Sequence, residues 1–279
     1  MRLQAEPADV DIDLPALPKA LARMSALLAQ AEVDLPELNR LIESDMALAA
    51  GVLRAVNAAV YGLTRRVQTV REALTYLGTS EVAALTLAVG LRAAFPQAQE
   101  LAPLWRRGAL RGFVMGRLGQ SLGVDPWVTH SAGLFEECGK AVLLRHATTR
   151  YRPLLAQAGA DNAALLRLEQ ATFGFSFDAI GAALCQAWGL APGAVASVRH
   201  HVIVIGTLEL PPNLAQPAVS ALSALAHALV CEPESLEATA MALARPAGLD
   251  AKAMLRSARR VQEQLAAAGQ RGETSAMPL

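Results

Sequence analysis

The segment 133–140, GLFEECGK, has the outline of a metal-binding turn of helix. A Gly-Leu entry, two ionisable residues and a Gly-Lys exit fit such a turn, but the pair is Glu136-Glu137, where the most familiar metal motif of this shape has His-Asp. Metal-dependent hydrolysis of phosphate esters needs imidazole and carboxylate ligands that converge from several helices, with an open position for activated water. The segment therefore suggests either an active site or one that has lost its ligands.

The acidic pair has an ordinary structural interpretation as well. Glu136 and Lys140 are four residues apart, in the order that favours an exposed ion pair on a helix. His130 and His146 are not three or four residues from Glu136, so they should not share its face and are expected to be surface or core histidines. The further candidate ligands Asp125 and Asp178 complete no spaced motif such as HExxH.

His200 and His201 form the more interesting pair. Adjacent residues on a helix diverge by about 100°, so one histidine can face the bundle while the other faces outward. Two ligands to one ion from this pair would be awkward.

Other catalytic and cofactor motifs are missing from the sequence. It contains no Walker-type loop, no GxGxxG after a strand and no serine nucleophile elbow. Cys138, Cys185 and Cys231 are too far apart for a CxxC metal clip and are expected to be reduced thiols. We therefore expect no cofactor.

Composition limits the partners. Of the 279 residues 53% are hydrophobic and 18% charged, and 25 basic residues balance 25 acidic ones. With a formal charge of zero, the chain has no net positive charge to attract nucleic acid or an anionic membrane, and we expect neither partner. The start of the chain lacks the apolar run of a secretory signal, which favours a cytoplasmic protein. The apolar stretch 214–230 carries polar residues and a helical stripe, and is predicted to be a buried helix.

Apolar residues recur every three or four positions almost throughout, which predicts an all-α protein of two packed helical sub-bundles. The connection PQAQELAP (96–103) sets a boundary between residues 1–98 and 99–279. Asp125 followed by proline predicts a helix start. The stretch VIVIGTLELPP after His201 looks strand-like, and the tail GQRGETSAMPL is expected to be disordered.

Gly108, Gly112 and Gly116 recur every four residues within one predicted helix. Each glycine inside a helix costs about 1 kcal/mol relative to alanine, so the row predicts that another backbone packs unusually close. A bend in the helix is the alternative.

Several segments in a fixed order resemble the HDOD family, the HD-related output domain of bacterial signalling proteins. They are ESDMALAAGVLRAVNAAVYGLTRRVQTVREALTYLGTSEVAAL (43–85), LW (104–105), AGLFEECGKAVL (132–143), FDAIGAALCQAWGLAP (177–192) and RHH (199–201). The resemblance runs from about Leu14 to His201. It implies an all-helical fold distantly related to the HD phosphohydrolases, with the second sub-bundle a degenerate HD-type core.

The resemblance also shows where this chain departs from the pattern. The His-Asp ligand position falls on Glu136-Glu137, and a later histidine position falls on Phe177. Family members commonly have Asp-Pro and Asn-Ser where this chain has Asp45-Met46 and Asn57-Ala58. Other family positions are retained in this chain or are candidates for a structural role or for contact with a partner. These residues are Asn57, Tyr61, Gly62, Trp105, Gly139, His200 and His201.

Exchange of an imidazole for a phenyl ring removes a ligand that no neighbouring change restores. The resemblance then implies a signalling module without catalysis or bound metal, which acts through contacts with other signalling proteins, for instance in a two-component response regulator system or as a homodimer. A receiver domain, often joined to this family, would be encoded separately or lie outside this sequence. The alternative is a metal-dependent phosphohydrolase that acts on nucleotides or cyclic dinucleotides through Glu136, Glu137 and His200 or His201. A small-ligand sensor in the former metal cleft is a third hypothesis.

Overall fold

The computed structural model describes residues 12–28, 30, 32–58, 61–63, 65–95 and 98–270. Every regular element in these ranges is helical, which confirms the all-α prediction. The first helices are α1 (Lys19–Leu28), α2 (Leu35–Glu43), α3 (Met46–Val56), α4 (Val70–Leu77) and α5 (Thr79–Ala93). The next are α6 (Ala102–Leu122), α7 (Pro126–Phe135), α8 (Cys138–His146), α9 (Thr148–Ala158) and α10 (Asn162–Phe173). The last are α11 (Phe177–Ala187), α12 (Pro192–Thr207), α13 (Pro217–Cys231), α14 (Leu236–Leu243) and α15 (Ala251–Gln270).

Many of these helices start where a side chain satisfies the first free backbone N–H groups. Asp34, Asp45, Thr69 and Asp161 each accept an N–H two or three residues further along the chain. Asp125 does the same for α7, with proline at the first helical position, as the sequence predicts.

The first half of the strand-like stretch after His201, residues 202–207, is helical, and the second half, residues 208–212, is irregular, so the strand-like pattern does not correspond to a strand. Helix α12 continues to Thr207 and ends where Leu208 takes a left-handed φ of 53°. Val198, His201 and Val202 are buried while Ile203 is 54% exposed, and burial of the adjacent residues 201 and 202 fits a helix but not an alternating strand. Packing against α11 and α13 outweighs the strand preference of the β-branched residues.

Two large apolar cores hold the bundle together. The first extends from Leu21 to Val202 and so includes helices on both sides of residue 98. The second joins α6 and α7 to α13, α14 and α15, where Met254, Ala258 and Val261 are buried on the last helix. Division of the chain at residue 98 remains a prediction.

The glycine row on α6 lies against α7, which confirms the prediction of close backbone packing. A Cβ atom on Gly108 would lie 2.9 Å from the carbonyl oxygen of Leu134, and one on Gly112 would lie 3.1 Å from that of His130. From the opposite side, a Cβ on Gly133 would lie 2.7 Å from the carbonyl oxygen of Arg111. This close approach brings Arg111 next to the end of α7.

The apolar stretch 214–230 forms most of α13, whose inner face is buried, as predicted. Within the described ranges, none of the helices is long and apolar enough to cross a membrane. The final residues of the chain, 271–279, fall outside those ranges, so the predicted disorder of the tail concerns residues that the structure does not describe.

Candidate functional site

The acidic pair lies at a break between two helices. Glu136 follows the last residue of α7, and Glu137 precedes the first residue of α8. Because the chain does not continue as one helix, Glu136 and Lys140 are not paired, and both are buried, at 1% and 6% exposure. The predicted exposed ion pair between them was wrong.

Glu136 forms a buried ion pair with Arg111. The Nε atom of Arg111 contacts Oε2 of Glu136, and the hydroxyl of Ser223 donates to Oε1. Arg111 also donates to the carbonyl oxygen of Ser223 at 3.1 Å and lies 3.2 Å from Nδ1 of His227. Burial by itself lowers the pKa of Arg111, but the charge and the hydrogen bond of Glu136, together with the charge of Glu137, more than offset it and hold that pKa above its ordinary value.

Glu137 is held by two other cations. Lys140 Nζ lies 2.6 Å from one carboxylate oxygen and Arg107 Nε lies 2.9 Å from the other. Burial raises the pKa of Glu137, but these two cations more than reverse the effect and lower it strongly. Lys140 also donates to Asn162 at 2.7 Å, and burial lowers its pKa. Both glutamates are therefore bound to cations of the chain itself.

Phe177 places an apolar ring beside Lys140, the partner of Glu137. The ring is fully buried, with Lys140 Nζ 4.6 Å from its centroid and the His201 ring 5.7 Å away, edge to face. Gly139 allows α8 to approach α11 here, because a Cβ at that position would lie 1.9 Å from the carbonyl oxygen of Phe177. Gly139 is thus a packing residue.

The two histidines diverge as the sequence predicts. His201 is 2% exposed and His200 is partly exposed. Nδ1 of His201 lies 2.8 Å from the carbonyl oxygen of Val198. Since that oxygen can only accept, Nδ1 carries the proton and Nε2 keeps its lone pair. Burial lowers the pKa of His201, which favours this neutral form.

Sequence reasoning missed two buried charged residues. Glu169 accepts from the hydroxyl of Tyr151 at 2.6 Å and from the backbone N–H of Phe177 at 2.7 Å, and burial raises its pKa to about 7. The sequence does contain an indication of this burial, because Glu169 lies four residues from both Leu165 and Phe173 and so shares their apolar helix face. Arg111 likewise lies three residues after Gly108, on the face of α6 that packs against α7.

A cavity of about 350 Å³ opens over the acidic pair. Its polar lining comes from α6, the α7–α8 break, α8, α10, α12 and α13, and consists of Arg107, Arg111, Glu136, Glu137, Lys140, Asn162, His201, His227 and Cys231. Three cations and two carboxylates thus line one cavity.

The residues present do not fit a divalent metal. Within the part of the chain that the structure describes, no group of three or more His, Cys, Asp or Glu side chains is arranged to hold an ion. The oxygens of Glu136 and Glu137 are bound to Arg111, Lys140 and Arg107. Positive charge that a metal supplies in a hydrolase is supplied here by fixed side chains, which repel a cation.

Residues of the front half serve the fold. Asn57 closes α3, since its amide donates to the carbonyl oxygens of Leu53 and Val67 at 2.7 and 2.8 Å and accepts from the Val67 N–H at 2.8 Å. Tyr61 donates to Glu81 at 3.0 Å. Gly62 has a φ of +64°, which glycine adopts without strain.

Trp105 and Trp188, which lie in the segments that resemble the family, are both core residues. Trp105 is 6% exposed and packs against Phe95 at a ring distance of 5.3 Å. Trp188 is 3% exposed and donates to the carbonyl oxygen of Pro15 at 2.8 Å, which ties the N-terminal segment to α11. Neither tryptophan lines the cavity.

Comparison with known proteins identifies the family and the fold. The family model of the HDOD domain matches residues 14–204. An uncharacterized protein of Treponema pallidum (strain Nichols) is 27% identical over 207 residues, which are 72% of this chain but only 40% of that protein.

Solved structures share the fold. An HDOD domain protein with unknown function from Geobacter sulfurreducens has a TM-score of 0.71 at 20% identity, over 91% of this chain and 94% of that one. A "Putative signal transduction protein" from Marinobacter aquaeolei VT8 has a TM-score of 0.71 at 21% identity, over 94% of this chain and 60% of that one. A "Putative phosphohydrolase" from Shewanella amazonensis SB2B has a TM-score of 0.69 at 22% identity, over 92% and 94% of the two chains. The match of the family model over most of the chain shows that this protein belongs to the HDOD family.

Proposed function

We propose that this protein is a non-catalytic signal-transduction module that acts through contacts with other proteins. One observation carries the proposal: both carboxylates at the HD-type position are neutralised by Arg111, Lys140 and Arg107, and Phe177 replaces a further ligand. A hydrolase of this type needs those oxygens free to bind the ion that activates water.

Family membership and relatives support a role in signalling. The name of the Marinobacter protein describes signal transduction, and that protein has the same fold. The partners we propose are other cytoplasmic signalling proteins, such as those of a two-component response regulator system, and a second copy of this chain is a further candidate. No nucleic acid or membrane is required.

Hydrolysis is the competing activity, because the name of the Shewanella protein with this fold describes a phosphohydrolase. The test incubates purified protein with nucleotides and cyclic dinucleotides in the presence of magnesium, manganese or iron. We expect no turnover above that of the Glu136→Gln variant. Turnover that a chelator abolishes and that is absent in the variant would contradict the proposal.

A second experiment tests the contacts themselves. Tagged protein is cross-linked in cells, captured and analysed by mass spectrometry. We expect response regulators or sensor kinases to be enriched over an unrelated helical protein carried through the same procedure. Equal recovery of signalling proteins with that control would argue against the proposed partners.

A further inference from the structure

The cavity over the acidic pair retains one positive charge in excess. Its lining contains three basic side chains, Arg107, Arg111 and Lys140, but only two acidic ones, Glu136 and Glu137. Burial lowers the pKa of both lining histidines, His201 and His227, which favours their neutral forms, and a neutral histidine leaves this charge balance unchanged. An anion is therefore favoured in the cavity and a cation is opposed.

Arg107 presents free donors at the rim. Its side chain is 53% exposed, and its Nε is bound to Glu137. Within the described ranges its two terminal nitrogens make no hydrogen bond to the protein. A guanidinium held in this way offers the planar donor pair that binds the oxygens of a phosphate or carboxylate.

His201 presents a free acceptor in the interior. Its Nδ1 donates to its own helix, and Nε2, at the far side of the ring, is buried without a partner among the described residues. A buried acceptor of this kind costs free energy unless a donor reaches it. The complementary group is an O–H or N–H of a molecule in the cavity.

We propose that this cavity binds a small polyhydroxylated anion, with the anionic group on Arg107 and a hydroxyl donating to Nε2 of His201. The volume of about 350 Å³ is at the small end of the range for ligand sites, roughly 300–1,000 Å³. Sugar phosphates and sugar acids share this chemistry. The ligand would be the signal that this module transmits to its protein partners, and this part of the inference rests on the proposed function.

Cys231 allows binding to be measured directly. It is exposed and lines the cavity, whereas Cys138 and Cys185 are buried, so a thiol reagent added to the native protein reports on Cys231. The probes are ribose 5-phosphate, gluconate, neutral ribose and inorganic phosphate. We expect one of the two hydroxylated anions to slow the labelling and raise the melting temperature, and ribose to do neither.

Two matched pairs of variants identify the contacts. Arg107→Ala should weaken binding about tenfold, the effect of one lost charged hydrogen bond. Arg106→Ala, an exposed neighbour outside the cavity, should leave binding unchanged. His201→Phe should also weaken binding, and His200→Phe should not.

Several results would overturn the proposal. One is the absence of protection and of a melting shift with both hydroxylated anions at about 10 mM, far above the dissociation constant of a specific site. Others are equal effects of Arg107→Ala and Arg106→Ala, or inorganic phosphate binding as tightly as ribose 5-phosphate. If no probe binds while signalling partners are still captured, the ligand site fails and the proposed function survives. If probes bind but no signalling partner is captured, the ligand site is supported and the proposed function fails.

Discussion

The ion pair between Arg111 and Glu136 makes a sharp prediction about stability. The change Arg111→Met keeps most of the side-chain volume on α6 but leaves Glu136, which is 1% exposed, without its cation. Loss of one partner of a buried pair typically costs about 3–5 kcal/mol, because the remaining charge is desolvated and unpaired. The hydrogen bond that Arg111 donates to the carbonyl oxygen of Ser223 is lost as well. We expect the free energy of unfolding to fall by about 3–5 kcal/mol.

A double-mutant cycle separates the charge pair from the packing. Glu136→Gln keeps an acceptor for the Ser223 hydroxyl and removes the charge. In the double variant no charge is left unpaired, so its loss of stability should be smaller than the sum of the two single losses by about 2 kcal/mol or more.

Urea unfolding followed by circular dichroism measures these free energies. Arg106→Met is the matched control on the same helix, since Arg106 is exposed, and it should change stability by less than about 0.5 kcal/mol. The reasoning is refuted if Arg111→Met costs less than about 1 kcal/mol, or if the two single effects simply add.

Three further predictions concern other parts of the molecule. Glu169 has a folded pKa of about 7, raised by burial, so folding takes up a proton; urea midpoints should fall as pH rises from about 4.5 to 7, and Glu169→Gln should flatten this part of the profile. A profile unchanged by the variant would contradict this. Gly139→Ala forces a Cβ against the carbonyl oxygen of Phe177 and should cost about 2 kcal/mol or more in urea unfolding. Gly206→Ala, whose Cβ meets nothing within 4 Å, should stabilise by up to about 1 kcal/mol, and equal effects of the two would be inconsistent with the packing described. Asn57→Ala should cost about 1–3 kcal/mol in thermal unfolding because it leaves backbone groups unpaired, and a cost near zero would rule out its role at the end of α3.

Much of the fold follows from local patterns in the sequence. The three- and four-residue recurrence of apolar positions predicts helices, and Asp125 with the following proline marks the start of α7. The glycine row on α6 predicts close backbone contact. The stretch after His201 shows the limit of this reasoning, because its β-branched residues favour a strand in isolation and become helical only by packing against neighbouring helices.

The sequence alone therefore determined the fold class, the glycine contact and the departure of Glu136, Glu137 and Phe177 from the metal-ligand pattern. Only the tertiary structure decided what those residues contact. The Ser223 hydroxyl that binds Glu136 comes from a position 87 residues away, and Arg111 reaches a carbonyl 112 residues away. Helical periodicity fixes which residues share a face over a few turns, whereas pairing across helices depends on how distant segments pack together. The predicted pair of Glu136 with Lys140 failed for the same reason. The helix is interrupted between α7 and α8, and Lys140 forms its ion pair with Glu137 instead.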